Sequence, residues 1–383
     1  MPEWCESSGS RASGEPRAGI SPYPRLMASS VPQLDLFGEP VTAPGGAPAA
    51  TPRAPRPAAG IGPAPASEAL LELGRTLPVA LYLGTSSWSF PGWAGLVYDR
   101  SADPSRLSRD GLTAYGRHPI LHAVGIDRTF YAPLSAAAFA RHAAQVPDGF
   151  RFLVKAPSAC TSTVVRSDGA LPVANDQFLD ERVAVDQFVR PALEGLGTKA
   201  GPLVFQFSPL GRAWTRVPQR FADALEGFLA ALRAEEPTAL LAVEVRDPEV
   251  LVPAFFDALA VHRVRYCIGV HARMPAVDEQ ATRARRAGPG TLVVRWNLHS
   301  GFGYDEAKAR YEPFDRLVDE DPAARGALAA LAVDTIGAGE AVYIIANNKA
   351  EGSAPLTLTL LAEAVRERLR SLPQGTGAAG LVG

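Results

Sequence analysis

LYLGTSSWSFPGWAG, residues 81–95, decides how the rest of the chain is read. Residues 81–84 form a short apolar run of the kind that fills a strand buried on both faces. The run stops abruptly at Thr85, Ser86 and Trp88, hydroxyl and indole side chains such as a barrel strand delivers to its C-terminal rim. Seven further runs repeat this layout. They are 120–126 before Asp127 and Arg128, 150–154 before Lys155, and 203–207 carrying Gln206. Next come 240–245 carrying Glu244 and leading into Arg246, and 265–270 before His271. The last two are 292–294 before Arg295, Trp296 and Asn297, and 342–346 before Asn347, Asn348 and Lys349.

Helical patterns fit between several of these runs. Residues 67–77 (SEALLELGRTL) read as a short helix, and Ser135 is placed to cap another. Phe221, Leu225, Phe228, Leu229 and Leu232 follow a 3.6-residue stripe, and Leu361, Val365 and Leu369 line one face of a final helix. Asp247-Pro248 and Asp321-Pro322 each offer a cap followed by proline at the first helical position. Eight strands alternating with helices predict an α/β fold, a single (β/α)8 TIM-like barrel. The competing doubly wound sheet lacks the GxGxxG or GxxxxGK[ST] loop expected after an early strand.

The bulk numbers narrow the class. With 47% hydrophobic residues and a net charge of -2 over 383 residues, the chain is not wholly disordered and has no global basic field for nucleic acid or anionic lipid. No apolar run reaches membrane-span length, and the first residues lack the apolar core of a secretory signal. Cys5, Cys160 and Cys267 are too scattered for a disulfide framework or a zinc site. A cytoplasmic protein is expected. Residues 1–66, rich in Pro, Ala and Gly, predict a disordered tail; 67–372 form the barrel and 373–383 a flexible end. Met27 is an alternative start to Met1.

One island interrupts the tail: Gln33-Leu34-Asp35-Leu36-Phe37. It resembles the QLxLF peptide with which bacterial polymerases and repair proteins dock on the sliding clamp. Leu36 and Phe37 suit a preformed apolar pocket, with Gln33 bonded at its rim and Leu34 beside it. A chance match, or a segment that packs back on the barrel, is the alternative.

Several motifs converge on one family. GTSSWSFPGW is similar to GTSGWSYxxW, and VGIDRTFY to VEINSTFY, in the YecE-like family known as domain of unknown function 72. FRFLVKAP, GPLVFQFSP, AVEVRDPE, and the stretches RWNLHSGFGYDEAKARYEP and IIANNKAEGSAPL resemble further segments in the same order. The resemblance covers residues 80–370 and implies a TIM-barrel fold; the family has no established activity. Four positions depart from its pattern: Gly125, Asp127 and Arg128 replace Glu, Asn and Ser, and Ser162 replaces His. If those family residues are catalytic, activity here is altered or lost, with Asp127 able to stand in for the missing carboxylate on the same strand face.

At the rim of such a barrel, Glu244 with Lys155 or Asp127 would supply acid and base. Ser86, Trp88, Arg128, Gln206, Arg246, Arg295, Asn297, Asn347, Asn348 and Lys349 would bind the ligand, with Trp88 as a stacking surface. A few carboxylates among many cations suit a small anionic, phosphorylated or sugar-like ligand. The glycine-containing loops at 300–303 and 350–355 offer a phosphate position. Glu244 and Arg246 as a structural ion pair is the bland alternative. No cofactor is expected; a divalent metal would have to draw on His271, His299, Asp127 and Glu244, since His118 and His122 have Pro119 between them. Three functions stay open: an enzyme of hydrolase- or lyase-type chemistry on that ligand, a clamp-recruited DNA-maintenance protein, and a non-catalytic ligand-binding barrel. A membrane partner is not expected, and nucleic acid is left open.

Overall fold

A computed structural model describes residues 60–165, 171–299 and 302–372. Gln33, Leu34, Leu36 and Phe37 lie outside the described residues, as does 373–383. Eight parallel strands close into a barrel: β1 Leu81–Thr85, β2 Ala123–Ile126, β3 Arg151–Lys155 and β4 Ala200–Gln206, then β5 Leu241–Glu244, β6 Arg265–Val270, β7 Leu292–Trp296 and β8 Val342–Ala346. Their spatial order is their chain order. Closure is made by β8 returning to β1, in register from Leu81 opposite Val342 to Thr85 opposite Ala346. Every run expected to be a strand is one, because parallel strands covered by helices must be apolar on both faces.

The helices follow the expected caps with one exception. The Ser135 hydroxyl accepts from the Ala138 N–H at the start of Ala136–Ala143, and Asp321 accepts from Ala324 at the start of Pro322–Gly337. The stripe in Pro218–Glu235 is buried as expected. Asp247-Pro248 does stand as N-cap and first helical position, but of a 3-10 turn, Pro248–Val250, and without a side-chain capping bond. The α-helix begins later, at Pro253–Val261. The Asp247 carboxylate is taken instead by the Leu210 N–H, 2.7 Å away on the loop after β4. No helix among the described residues is long and apolar enough to cross a membrane.

The lumen is layered. Ala123, Leu153, Val204, Ala242, Cys267, Val293 and Ile345, one from each of seven strands, pack into an apolar floor separate from the core under the helices. The remaining strand, β1, contributes Gly84, where a Cβ would stand 2.1 Å from the Ala123 carbonyl oxygen. Glycine there lets β1 and β2 approach closely enough to close the ring. Below the floor, Tyr82 and Tyr343 stack with centroids 4.6 Å apart. Two residues above it on each strand, and so on the same face, lie Ser86, Gly125, Lys155, Gln206, Glu244, Gly269, Arg295 and Asn347. The lumen thus changes from apolar to charged within one pleat.

Candidate functional site

Arg295 organises the charged layer. Its Nη1 donates to Glu244 Oε2 at 3.0 Å, and its Nη2 bonds Asp127 Oδ2. Strands β2 and β7 share no hydrogen bonds, so the Asp127 contact is made across the lumen. Arg295, Asp127 and Glu244 are each under 5% exposed. Glu244 also accepts from Arg246 Nη2 at 2.7 Å and from Asn297 Nδ2 at 3.1 Å. Burial pushes the Glu244 carboxyl up, but the charges of Arg246, Arg295 and Lys155 more than reverse this and hold it below its ordinary value. For Arg295, burial opposes the charge, yet Asp127 and Glu244 prevail and its pKa is raised.

Lys155 closes the layer from β3. Its Nζ lies 3.7 Å from the centre of the Phe130 ring and makes no hydrogen bond among the described residues. Burial is the main reason its pKa is lowered to about 7; Asp127 pulls it up and Arg295 pushes it down. Phe130 is a site residue that sequence reasoning passed over. The available signal was the aromatic pair at the end of DRTFY, one helical turn beyond Asp127.

Several polar atoms of this layer are buried without a partner among the described residues: Asp127 Oδ1, Arg246 Nη1 and Arg295 Nε. Natural interiors rarely leave such atoms unpaired unless a ligand or water meets them. Together with Lys155 Nζ they leave three donors and one acceptor unsatisfied within the buried layer.

The remaining expected residues divide. Asn297 joins the cluster, and Gln206 stands in register with Glu244. Asn347 donates to the Ser86 hydroxyl at 2.9 Å on the β1–β8 side of the mouth. Arg128 is exposed just beyond β2. Trp88 does not offer a stacking face. It is a core residue, 5% exposed, edge-on to His142 and donating through Nε1 to the Ser108 carbonyl. Asn348 is likewise structural: its Oδ1 accepts from Ala354 at 2.8 Å and from Trp93 Nε1 at 3.3 Å. Lys349 is buried near Phe314, where burial, then Lys308, lowers its pKa to about 8. The loop before the last helix, Ala354–Ser371, is no open phosphate cradle. Ala350, Glu351 and Ser353 are fully buried, and the Glu351 carboxylate bonds Arg325 and the Asp321 N–H there.

Gly125 is explained by proximity. A Cβ at this position would stand 3.1 Å from both the Cα and the carbonyl oxygen of Ser86. The carboxylate on this face is supplied by Asp127 instead. Among the described residues no three His, Cys, Asp or Glu side chains gather to hold a metal. His118 and His122 lie at the opposite end of the barrel, beside a cavity of about 550 Å³ that Tyr82 and Phe150 also line. Burial lowers the His118 pKa to about 4. His271 stands at the mouth, its pKa lowered to about 4 by burial and then by Arg246.

A closed eight-stranded parallel barrel with a charged, buried cluster at its C-terminal mouth is the class that fold and site define. The family model described as "Protein of unknown function DUF72" matches residues 82–378, and the chain belongs to that family. A crystal structure of a DUF72 family protein from Enterococcus faecalis has 17% identity and a TM-score of 0.52, over 74% of this chain and 95% of its own. One from Thermotoga maritima has 22% identity and a TM-score of 0.49, over 76% of this chain and 99% of its own. At such identity the likeness to the Enterococcus faecalis structure speaks for the fold alone. No curated protein shows significant sequence similarity to the chain.

Proposed function

We propose that the protein is an enzyme acting on a small anionic, hydroxyl-bearing substrate, phosphorylated or sugar-like, at the C-terminal mouth of its barrel. The observation that carries this is the set of buried polar atoms without partners on Asp127, Arg246 and Arg295. Two guanidinium donors suit an anionic group, and the Asp127 oxygen suits a substrate hydroxyl. Lys155, with its pKa near neutrality, serves as base, and Glu244, held ionised, keeps the two arginines aimed. The test is a thermal-shift and calorimetric screen of sugar phosphates and hydroxy acids against the protein and its R246M variant. Stabilisation that the variant loses supports the reading. A mouth to which no anion binds, or one indifferent to Arg246, refutes it.

A second reading is favoured by the isolation of Gln33–Phe37 in a tail otherwise poor in large hydrophobes. It makes the protein a partner of the bacterial sliding clamp. A peptide spanning residues 29–41 should bind purified clamp, and Phe37→Ala should abolish binding. An unchanged isotherm for the variant peptide excludes it.

A further inference from the structure

The composition of the basic residues says something about Lys155 that its position alone does not. Of 38 lysines and arginines in the chain, four are lysines: Lys155, Lys199, Lys308 and Lys349. A chain that uses arginine nearly everywhere for positive charge has a lysine at the end of β3, among arginines. Guanidinium holds its proton at any accessible pH, whereas an ammonium shed of water gives its proton up. The side chain at 155 therefore has a property arginine lacks, a nitrogen lone pair.

The four lysines are not equivalent. Lys199 donates to the carbonyls of Ala143 and Val146 at 2.9 and 2.7 Å. Lys308 faces Glu312 at 3.9 Å on an exposed helix. Lys349 is buried beside Phe314, with Lys308 nearby. Lys155 alone of the four stands in the charged layer, against an aromatic face and without a hydrogen bond among the described residues. A desolvated amine next to other cations is an activated nucleophile.

We propose that Lys155 forms an imine with the carbonyl carbon of a small anionic aldehyde or 2-oxo acid, whose anionic group is held by Arg246 and Arg295. The inference deepens the reading of the mouth as an anion site and rests on it. The amine lone pair forms the C–N bond while the carbonyl π electrons pass to oxygen. That oxygen then leaves as water with the two hydrogens first held on nitrogen, and the C=N bond closes. The step consumes no oxidant or reductant and reverses by hydrolysis. Asp127, whose second oxygen has no partner, is the nearby group that can pass the protons.

The probe is glyoxylate with sodium cyanoborohydride, applied to the full-length protein and followed by intact mass and peptide mapping. Apart from labelling of the chain's α-amine, whose ordinary pKa of about 7.7–8.0 leaves it reactive near pH 7, we expect one reduced lysine adduct, on the peptide holding Lys155, absent in K155R and retained in K308R. At pH 7, labelling at Lys155 should outrun Lys308 on the order of a hundredfold, since less than about 0.1% of an ordinary lysine is unprotonated there. The rate should rise through pH of about 7 and then level. The groups that set this profile are Asp127 on the β2 side, Glu244 and Arg246 at the end of β5, and Arg295 on β7. An adduct mapped to another lysine overturns the inference. So does the absence of an adduct while glyoxylate still raises the melting temperature, and that result leaves the anion site standing. With neither adduct nor thermal shift, both fall. If K155R does not fold, the peptide map of the unaltered protein decides.

Discussion

Replacing Arg295 with methionine probes the cluster most sharply. The substitution keeps the apolar stem and removes the charge that joins Asp127 to Glu244 across the lumen. At 3.0 Å, the Arg295–Glu244 attraction alone is roughly 5 kcal/mol at an effective dielectric of about 20, before desolvation is subtracted. Glu244 retains Arg246 and Asn297. Asp127 retains no side-chain partner, since its other oxygen is already unpaired. Removing one member of a buried pair typically costs about 3–5 kcal/mol, because the other charge is left without compensation. For a barrel of this size that corresponds to a fall in melting temperature of roughly 6–10 °C. Differential scanning calorimetry of R295M, D127N and the double variant reads the effect. If the cost is the stranded carboxylate, D127N in the R295M background recovers part of the loss. A double variant as unstable as the two single losses added together would show that Arg295 acts through packing, and the electrostatic account would be wrong.

The other predictions are simpler. The lowered pKa of Lys155, about 7 against 10.5, means that the unfolded chain binds a proton the folded protein gives up between those values. Stability from this group therefore rises with pH through that window; K155M should exceed the native protein by on the order of 4 kcal/mol at most near pH 6 and match it near pH 10, read from denaturation midpoints. Gly84→Ala would press a Cβ onto the backbone of Ala123 and should cost ~3 kcal/mol or more, seen as a lowered midpoint or insoluble protein. Asn348→Ala should cost about 2–4 kcal/mol by stranding the Trp93 indole N–H and the Ala354 N–H, with changed Trp emission as the local readout.

The barrel was legible because its strands pay no attention to solvent: 81–84 and 342–346 are apolar on consecutive residues, a pattern that parallel packing under helices imposes. The mouth was legible as a list, since whatever follows such a run lands at the rim. Its wiring was not. Asp127 and Arg295 are 168 residues apart, and nothing local to either announces the other. The pairing of Glu244 with Arg246 was foreseeable from adjacency, whereas the third charge that joins it came from β7. Trp88 misled because an indole after a strand end reads the same whether it faces ligand or folds back under Ser108. Asp247 misled for a similar reason. Asp-Pro signals a cap only if no better donor stands nearby, and Leu210 N is one.

The apolar floor has a consequence for traffic. With Leu153, Ile345 and their neighbours packed shut above the Tyr82–Tyr343 stack, the apolar layer separates the charged layer from the cavity beside His118 and His122, which opens on the other side of the plug. If the mouth turns over a substrate as proposed, the product cannot leave through this plug and must depart on the side its precursor entered. A lingering product would then block the next arrival, and the pace of turnover would be tied to departure through the mouth as much as to any bond broken inside it.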